Sequence, residues 1–408
     1  MTMKNKIPKR RFKGFTDDWE QRKFPEFVQF YNGQTYKPED VQDDGVLVLR
    51  SSNVKNDEIV EADNIYLDKS VANAEQVRKG DIIVVVRNGS RALIGKHAEI
   101  KREMPNTVIG AFMTGIRSEH SSFVNALLGT PQFEREIEMN MGATINQITG
   151  YMFSKMAFMI PSGDEQDKIG AYFKGLDDLI ALHQRKSEKL MALKKAYLSE
   201  MFPRPGEKYP QRRFKGFTDA WEQRKLGDIV SFSKGSGYSK ADLQNTGTPI
   251  ILYGRLYTKY ETVISEVDTF ADEKPNSVFS KGGEVIVPAS GETAEDISVA
   301  AVVDQSGVML GGDLNIITPP RELDSTFLAI SISNGKPHSD MAKMAQGKSV
   351  VHLHNSDLAK IDLPYPSYEE QRQISQHFKT LDNLIALHQR KLAKLQALKK
   401  AYLTEMFP

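Results

Sequence analysis

The feature that most constrains this chain is that it is written twice. Residues 10–23 read RRFKGFTDDWEQRK, and residues 212–225 read RRFKGFTDAWEQRK, with one letter changed. A second block, LDDLIALHQRKSEKLMALKKAYLSEMFP at 176–203, returns as LDNLIALHQRKLAKLQALKKAYLTEMFP at 381–408. The first pair is offset by 202 residues and the second by 205, so the 408 residues form one unit repeated, with a few residues gained between. Each half is long enough to bury its own core.

Between the repeated parts lie two stretches that differ almost everywhere. The order is a first arm (1–23), a variable block (24–161), a helix (162–203), a second arm (204–225), a second variable block (226–366) and a second helix (367–408). Both blocks carry strand signals. DIIVVVR at 81–87 is followed by Asn88-Gly89, a dipeptide that favours a tight hairpin turn, and EVIVPASG at 284–291 stands in the matching place. Gly45 falls opposite Gly247, Gly80 opposite Gly283, Gly89 opposite Gly291 and Gly142 opposite Gly347, which predicts matched turns. The expectation is a mixed α+β protein, with two similar α/β blocks carrying different surfaces.

The helices follow Pro161 and Pro366. Ser162 with Glu165, and Ser367 with Glu370, have the S-x-x-E spacing of a capping box. A heptad seam reads Ile169, Leu176, His183, Leu190 and Tyr197, with Tyr172, Leu179, Lys186 and Leu193 between. The second copy gives Ile374, Leu381, His388, Leu395 and Tyr402, with Leu384 and Leu398 between. From Asp164 to Met201 the helix should measure about 57 Å. Such a seam needs a partner, and the other copy in the same chain is the one at highest effective concentration. A twofold relation between the halves predicts an antiparallel coiled-coil pair acting as a spacer.

Composition limits the function classes. The chain has no cysteine, which argues against a disulfide-stapled secreted protein, thiolate metal sites and a cysteine nucleophile. MTMKNKIPKRRFKGF lacks the apolar run of a signal peptide, and no stretch of 18 apolar residues is present, so a cytoplasmic protein with no membrane partner is expected. Basic and acidic residues nearly cancel, 54 against 53, so nucleic-acid binding must rest on local patches. Catalytic motifs are weak. Gly347-Lys348-Ser349 resembles the tail of a P-loop, but Ala342 stands where the first glycine is required. TPPR at 318–321 lacks both the amide and the aromatic of an adenine-methyltransferase loop. His352 and His354 have neither cysteine nor a carboxylate set to complete a metal site, and His183 and His388 read as polar register-setters on the seam. The arms, with Trp19 and Trp221, fit a packed junction, and their RRFK and EQRK cations also fit a partner surface or phosphates.

Taken together these residues resemble the specificity subunit of type I restriction-modification systems. The resemblance spans the chain. It rests on P-x-R-R-F-K-G-F-x-x-x-W-E-x-R-K from Pro8 and again from Pro210, on IPSGDEQDKI at 160–169 and LPYPSYEEQRQI at 363–374, and on the helix ending KKAYLxEMFP. The first copy departs at Gly163-Asp164, where the second has Tyr368-Glu369. The resemblance implies two target recognition domains separated by antiparallel conserved helices, in a chain that is itself not an enzyme and binds no cofactor. It implies double-stranded DNA as partner, read as a two-part site with an unread gap. It further implies two methylation subunits docked on arms and helices, and two restriction subunits. S-adenosylmethionine, ATP and Mg²⁺ would be used on those partners, for adenine N6 methylation or cleavage. An enzyme acting alone would need a nucleotide or methyl-donor loop that the sequence lacks. A two-headed protein-binding scaffold is the other reading.

Base readout needs Arg, Lys, Asn, Gln or Ser side chains on loops. In the first block the candidates are Arg50, Ser51, Ser52 and Asn53, then Arg87, Asn88, Ser90 and Arg91, then Asn146 and Gln147. Opposite them lie Tyr253 and Arg255, then Ser290 and Thr293, then Lys348, Ser349, His352 and His354.

Overall fold

A computed structural model describes residues 7–141, 146–345 and 350–408. The chain divides into two compact units, one of Met1–Gln184 with Arg390–Pro408 and one of Arg185–Gln389. Each unit therefore combines one variable block with a segment of each long helix.

In the first unit, strands Gln29–Asn32, Met113–Arg117, Ile82–Val85 and His97–Glu99 lie in that order in an antiparallel sheet. All four residues of Ile82–Val85 are buried, as an unbroken apolar run requires of a strand covered on both faces. A second sheet holds Thr107–Ile109, Val46–Leu49, Ile65–Leu67 and Val41–Gln42, its first pair parallel. The second unit repeats the plan with five strands in each sheet. One is Ser231–Lys234, Leu314–Thr318, Glu284–Pro288, Ala301–Val303 and Val263–Ile264, and the other Leu243–Gln244, Phe270–Ala271, Thr248–Ile251, Ser306–Leu310 and Phe279–Lys281.

Two of the matched glycine pairs share a left-handed conformation. Gly45 and Gly247 have φ of 137° and 135°, and an added Cβ would stand 2.2 Å from the Leu67 carbonyl oxygen and 2.8 Å from that of Ala271. Gly80 and Gly283 have φ of 91° and 94°. Gly89 and Gly291 show no positive φ, and Gly142 and Gly347 lie outside the described residues. The tight Asn88-Gly89 hairpin does not form. Strand Ile82–Val85 reaches its partner through residues 86–96, because Asn88 bonds to neighbouring loops and Gly95, at φ 85°, makes the reversal nearer the partner strand.

The long helices span Gly163–Glu200 and Tyr368–Glu405, 38 residues each. Of the two predicted capping boxes only the second is half realised, the Glu165 N–H going to the Ser162 carbonyl instead. Ser367 Oγ accepts from the Glu370 backbone N–H, but the Glu165 and Glu370 carboxylates do not turn back to the cap. Each takes a two-pronged bond from an arm arginine instead. Arg11 donates to Glu165 at 2.7 and 2.8 Å, and Arg213 to Glu370 at 2.6 and 2.7 Å. A forked pair of charge-assisted bonds outcompetes one bond to a backbone N–H.

The neighbouring arginine secures the other helix. The Arg10 backbone N–H donates to the Glu405 carbonyl and its side chain to the Glu405 carboxylate, and Arg212 does the same to Glu200. An arm thus fastens the start of one long helix and the end of the other. Behind it lies an aromatic cluster, the packed junction expected for the tryptophans. Trp19, Phe123, Phe173 and Phe407 meet with ring centroids 5.6–6.3 Å apart. Trp221, Phe327, Phe378 and Phe202 do so at 5.8–6.4 Å. The strands Glu20–Lys23 and Glu222–Lys225 complete each junction, pairing with Ala157–Ile160 and Asp362–Tyr365 just ahead of the helices.

Within each unit the helix segments run antiparallel. Tyr172 meets Tyr402 and Asp177 meets Lys399 in the first unit, while Tyr197 meets His377 and Lys194 meets Asp382 in the second. The seam differs from the heptad reading at alternate positions. Ile169, Leu176, Ile374 and Leu381 are buried and Leu190 and Leu395 half-buried, but Leu179, Leu384, Leu193 and Leu398 are 44%, 39%, 37% and 36% exposed. Phe173 takes the place assigned to Tyr172, and Phe378 is buried at the equivalent position of the second copy. The buried stripe advances from Ile169 and Ile374 by four, then three, as an α-helix of 3.6 residues per turn requires when it covers a block as well as a partner helix.

Because the Glu165 side chain is fully buried, removing its partner strands a carboxylate inside the protein. Arg11→Ala is expected to cost about 3 kcal/mol, read as a lower urea midpoint, whereas substitution of the exposed Arg10 should cost less. An unchanged midpoint for Arg11→Ala would show that the pair does not fasten the arm.

Candidate nucleic-acid interface

The first-block candidates converge. Beyond strand Ile82–Val85 the chain is fixed on two sides, Val86 donating its N–H to the Phe112 carbonyl at 2.9 Å and accepting from Ile148 N–H at 2.8 Å. That places Arg87 against Gln147 in an isolated antiparallel bridge. Asn88 then joins three loops. Its N–H donates to the Asn146 carbonyl at 3.3 Å, its amide to Ser51 Oγ at 3.0 Å, and its side-chain oxygen accepts from Ser90 N–H. Asn146 returns a bond to the Gly89 carbonyl at 3.0 Å. The Arg87 guanidinium lies 5.0 Å from the centroid of the Phe112 ring, which is 52% exposed. Ser52 and Arg91 are exposed on the flanking turns.

Two candidates serve the loop itself. Asn53 is 1% exposed, its amide donating to the Val60 and Ala62 carbonyls and to Asn64, and its oxygen accepting from Arg50 N–H. Arg50 is turned onto Asp63, holding both its carboxylate and its carbonyl at 2.6 Å.

The second unit offers the same backbone with other side chains. Ala289 donates to the Asp313 carbonyl at 2.7 Å and accepts from Leu353 N–H at 3.0 Å, reproducing the bonds of Val86. By that correspondence Ser290 occupies the place of Arg87, His352 that of Gln147, and Asp313 that of Phe112. Ser290 and His352 face each other across a short antiparallel pair, with Ser290 buried and His352 exposed. Tyr253 is exposed and stands edge-on to Tyr257, whose hydroxyl donates to the Ser290 carbonyl. Thr293 is exposed and accepts from Asp296 N–H. His354 is exposed at the start of helix Asn355–Leu358, where its N–H donates to the Asp357 carboxylate. Arg255 belongs inside. Only 9% exposed, it donates to Asp268, Glu261 and the Glu266 carbonyl. Lys348 and Ser349 lie outside the described residues.

Phe112 and Asp313, which carry neither a cation, an amide nor a hydroxyl, are not among the sequence candidates. The available signal was the glycine two positions earlier in each copy. Gly110 donates to the Leu49 carbonyl and Gly311 to the Ile251 carbonyl, fixing the same turn beside the same strand.

No group of three or more His, Asp or Glu residues is set to hold a metal among the described residues, and no helix there is long and apolar enough to cross a membrane. The first unit contains a cleft of about 1100 Å³ between its block and its helix segments, lined by charges of both signs, some of them paired. Lys399 bridges Asp57 and Asp177, and Lys101 bridges Glu58 and Asp178. Glu99 also lines the cleft. Burial pushes its carboxyl above the usual glutamate range, with Asp178 and Asp177 adding to the effect and Lys174 and Lys101 opposing it. A raised value means that the folded protein binds this proton more tightly than the unfolded chain. Its contribution is therefore favourable at low pH and is lost as pH rises through the folded value. Glu99→Gln should flatten that part of the stability profile and leave the protein at least as stable at pH 7. Thermal unfolding against pH will check this, and a destabilised variant at pH 7 would contradict it.

The chain matches the family described as type I restriction modification DNA specificity domain twice, over residues 16–192 and 218–397. It is 20% identical over 270 residues to the type I restriction enzyme MjaVIII specificity subunit of Methanocaldococcus jannaschii, a match spanning 64% of this chain and 63% of that protein. The crystal structure of a type I restriction-modification system S subunit from M. genitalium shares its fold, with a TM-score of 0.62, 15% identity, and coverage of 98% of this chain and 99% of that one. With two matches that together take in most of its length, on two units built to one plan, the chain belongs to the type I restriction-modification DNA specificity family.

Proposed function

We propose that this chain selects a two-part DNA sequence for a type I restriction-modification complex, each variable block reading one half. The observation that carries this reading is the matched loop face. One backbone arrangement presents Arg87, Phe112 and Gln147 in one unit and Asp313 and His352 in the other, where a buried Ser290 stands in the place of Arg87. Two readers of one design with different side chains suit two different half-sites, since base edges are discriminated by side-chain chemistry on a positioned backbone. Residues 24–161 and 226–366 are the recognition domains in this reading. The arms and helices, 162–225 and 367–408 with 1–23, form the frame, and the helices set the gap.

The frame is also where two identical methylation subunits would dock. Leu179 and Leu182 in one copy and Leu384 and Leu387 in the other are exposed at equivalent helix positions, giving each subunit the same apolar contact. Chemistry belongs to the partners, with S-adenosylmethionine on the methylation subunits and ATP and Mg²⁺ on the restriction subunits. Among the DNA-facing candidates the reading keeps Ser51, Ser52, Arg87, Asn88, Ser90, Arg91, Asn146, Gln147, Tyr253, Thr293, His352 and His354. Arg50, Asn53, Arg255 and Ser290 support the loops. The complex is expected to work on DNA in the cytoplasm.

The test is a map of methylated adenines in cells with and without this chain. A two-part motif should be present with it and vanish without it, and an identical map would overturn the reading. With the assembled methylation complex, Arg87→Ala should weaken DNA binding by roughly 1–3 kcal/mol. Unchanged affinity and specificity would remove its loop from the interface.

A further inference from the structure

Phe112 is an odd residue to leave half in water. It is a large aromatic, 52% exposed, beside Arg87, whose neighbours Asn88, Ser51, Asn146 and Gln147 are polar. The backbone holds it firmly. Its carbonyl accepts from both Val86 and Arg87, and Met113 N–H donates to the Gly110 carbonyl, closing the turn around it. The Arg87 guanidinium rests over the ring, a cation–π contact that keeps two neighbouring side chains in a fixed relation. An aromatic left half in water and positioned on both sides contributes less to the core than a buried one. It is presented.

The equivalent place in the second unit carries the opposite chemistry. Asp313 makes the same bond through its carbonyl, to Ala289 N–H, and precedes strand Leu314–Thr318 as Phe112 precedes Met113–Arg117. Its side chain is exposed, and among the described residues its carboxylate has no hydrogen-bond donor. Its φ of 59° is a conformation that aspartate tolerates better than most residues. A solvated carboxylate inside a face that meets DNA repels phosphates, so its place there calls for a base donor rather than the backbone.

We infer that this one backbone position determines a base pair in each half-site. Phe112 contacts the 5-methyl group of thymine, and Asp313 accepts a hydrogen bond from the N4 amine of cytosine. These are the major-groove features that an apolar ring and a carboxylate respectively recognise. The inference rests on the reading of the chain as a DNA selector. It goes beyond it by naming two residues and the base each one chooses.

The experiment uses the full chain assembled with its methylation subunits, acting on a DNA library randomised across the two-part motif. Phe112→Ala should lose about tenfold of its preference at one A·T position of the first half-site, leaving the second half-site unchanged. Asp313→Gly, which removes the acceptor and suits the positive φ, should relax one C·G position of the second half-site by a similar factor. Phe112→Leu, which keeps an apolar tip, should retain the thymine preference in part. Methylation by the variants with an unchanged motif, or a loss spread evenly over all positions, would overturn the inference. Should Phe112→Ala not fold, Phe112→Leu and Asp313→Gly decide the matter. Failure of the underlying reading looks different, because the unsubstituted chain would then direct no two-part motif at all.

Discussion

The structure depends on the junction where an arm meets two helix ends. In each unit a buried glutamate at the start of one long helix is held by an arm arginine, and the preceding arginine holds the end of the other. A tryptophan and three phenylalanines fill the space behind. One of those phenylalanines, Phe407 or Phe202, is supplied by the KKAYLxEMFP ending of the other repeat. Neither repeat can complete its junction alone, because the ending it needs is written in the other half of the chain. That requirement explains why arm and helix ending are nearly identical between copies. A change in either would have to fit a partner coded in the other repeat, 395 residues away for Arg10 and Glu405 and 12 for Arg212 and Glu200.

Away from the junction the two blocks are free to differ, and they do so while keeping their turns. Gly170, whose Cβ would meet the Phe123 backbone, lets the first long helix approach its block closely. The equivalent Ser375 instead bonds to the Asp324 carboxylate. The same approach is reached by two chemistries. On the loop face this freedom has a consequence for function, since the bonds of Val86 and Ala289 fix where three residues stand without fixing what they are.

Much of this was legible in the sequence. The repeat, the long helices and the paired glycines at 45 and 247 follow from backbone rules that act locally. The less legible features depended on competition between partners far apart in sequence. Glu165 had a capping role available and took Arg11, 154 residues away, because a buried carboxylate gains more from a guanidinium. Asn88-Gly89 had a hairpin available and yielded it to Ser51 and Asn146. Arg50, Asn53 and Arg255 have the composition of DNA-contacting residues and are committed to holding loops. Residue type could not separate presenting from supporting, which is also why an exposed phenylalanine and an exposed aspartate escaped notice.

The central claim is that one frame carries two interchangeable readers. The most direct measurement replaces residues 226–366 with a second copy of residues 24–161, assembles the chimera with its methylation subunits and maps the methylated adenines. Two identical frames bearing identical readers should give a motif whose two halves are the same sequence in inverted orientation. A map that retains the original second half would contradict the account.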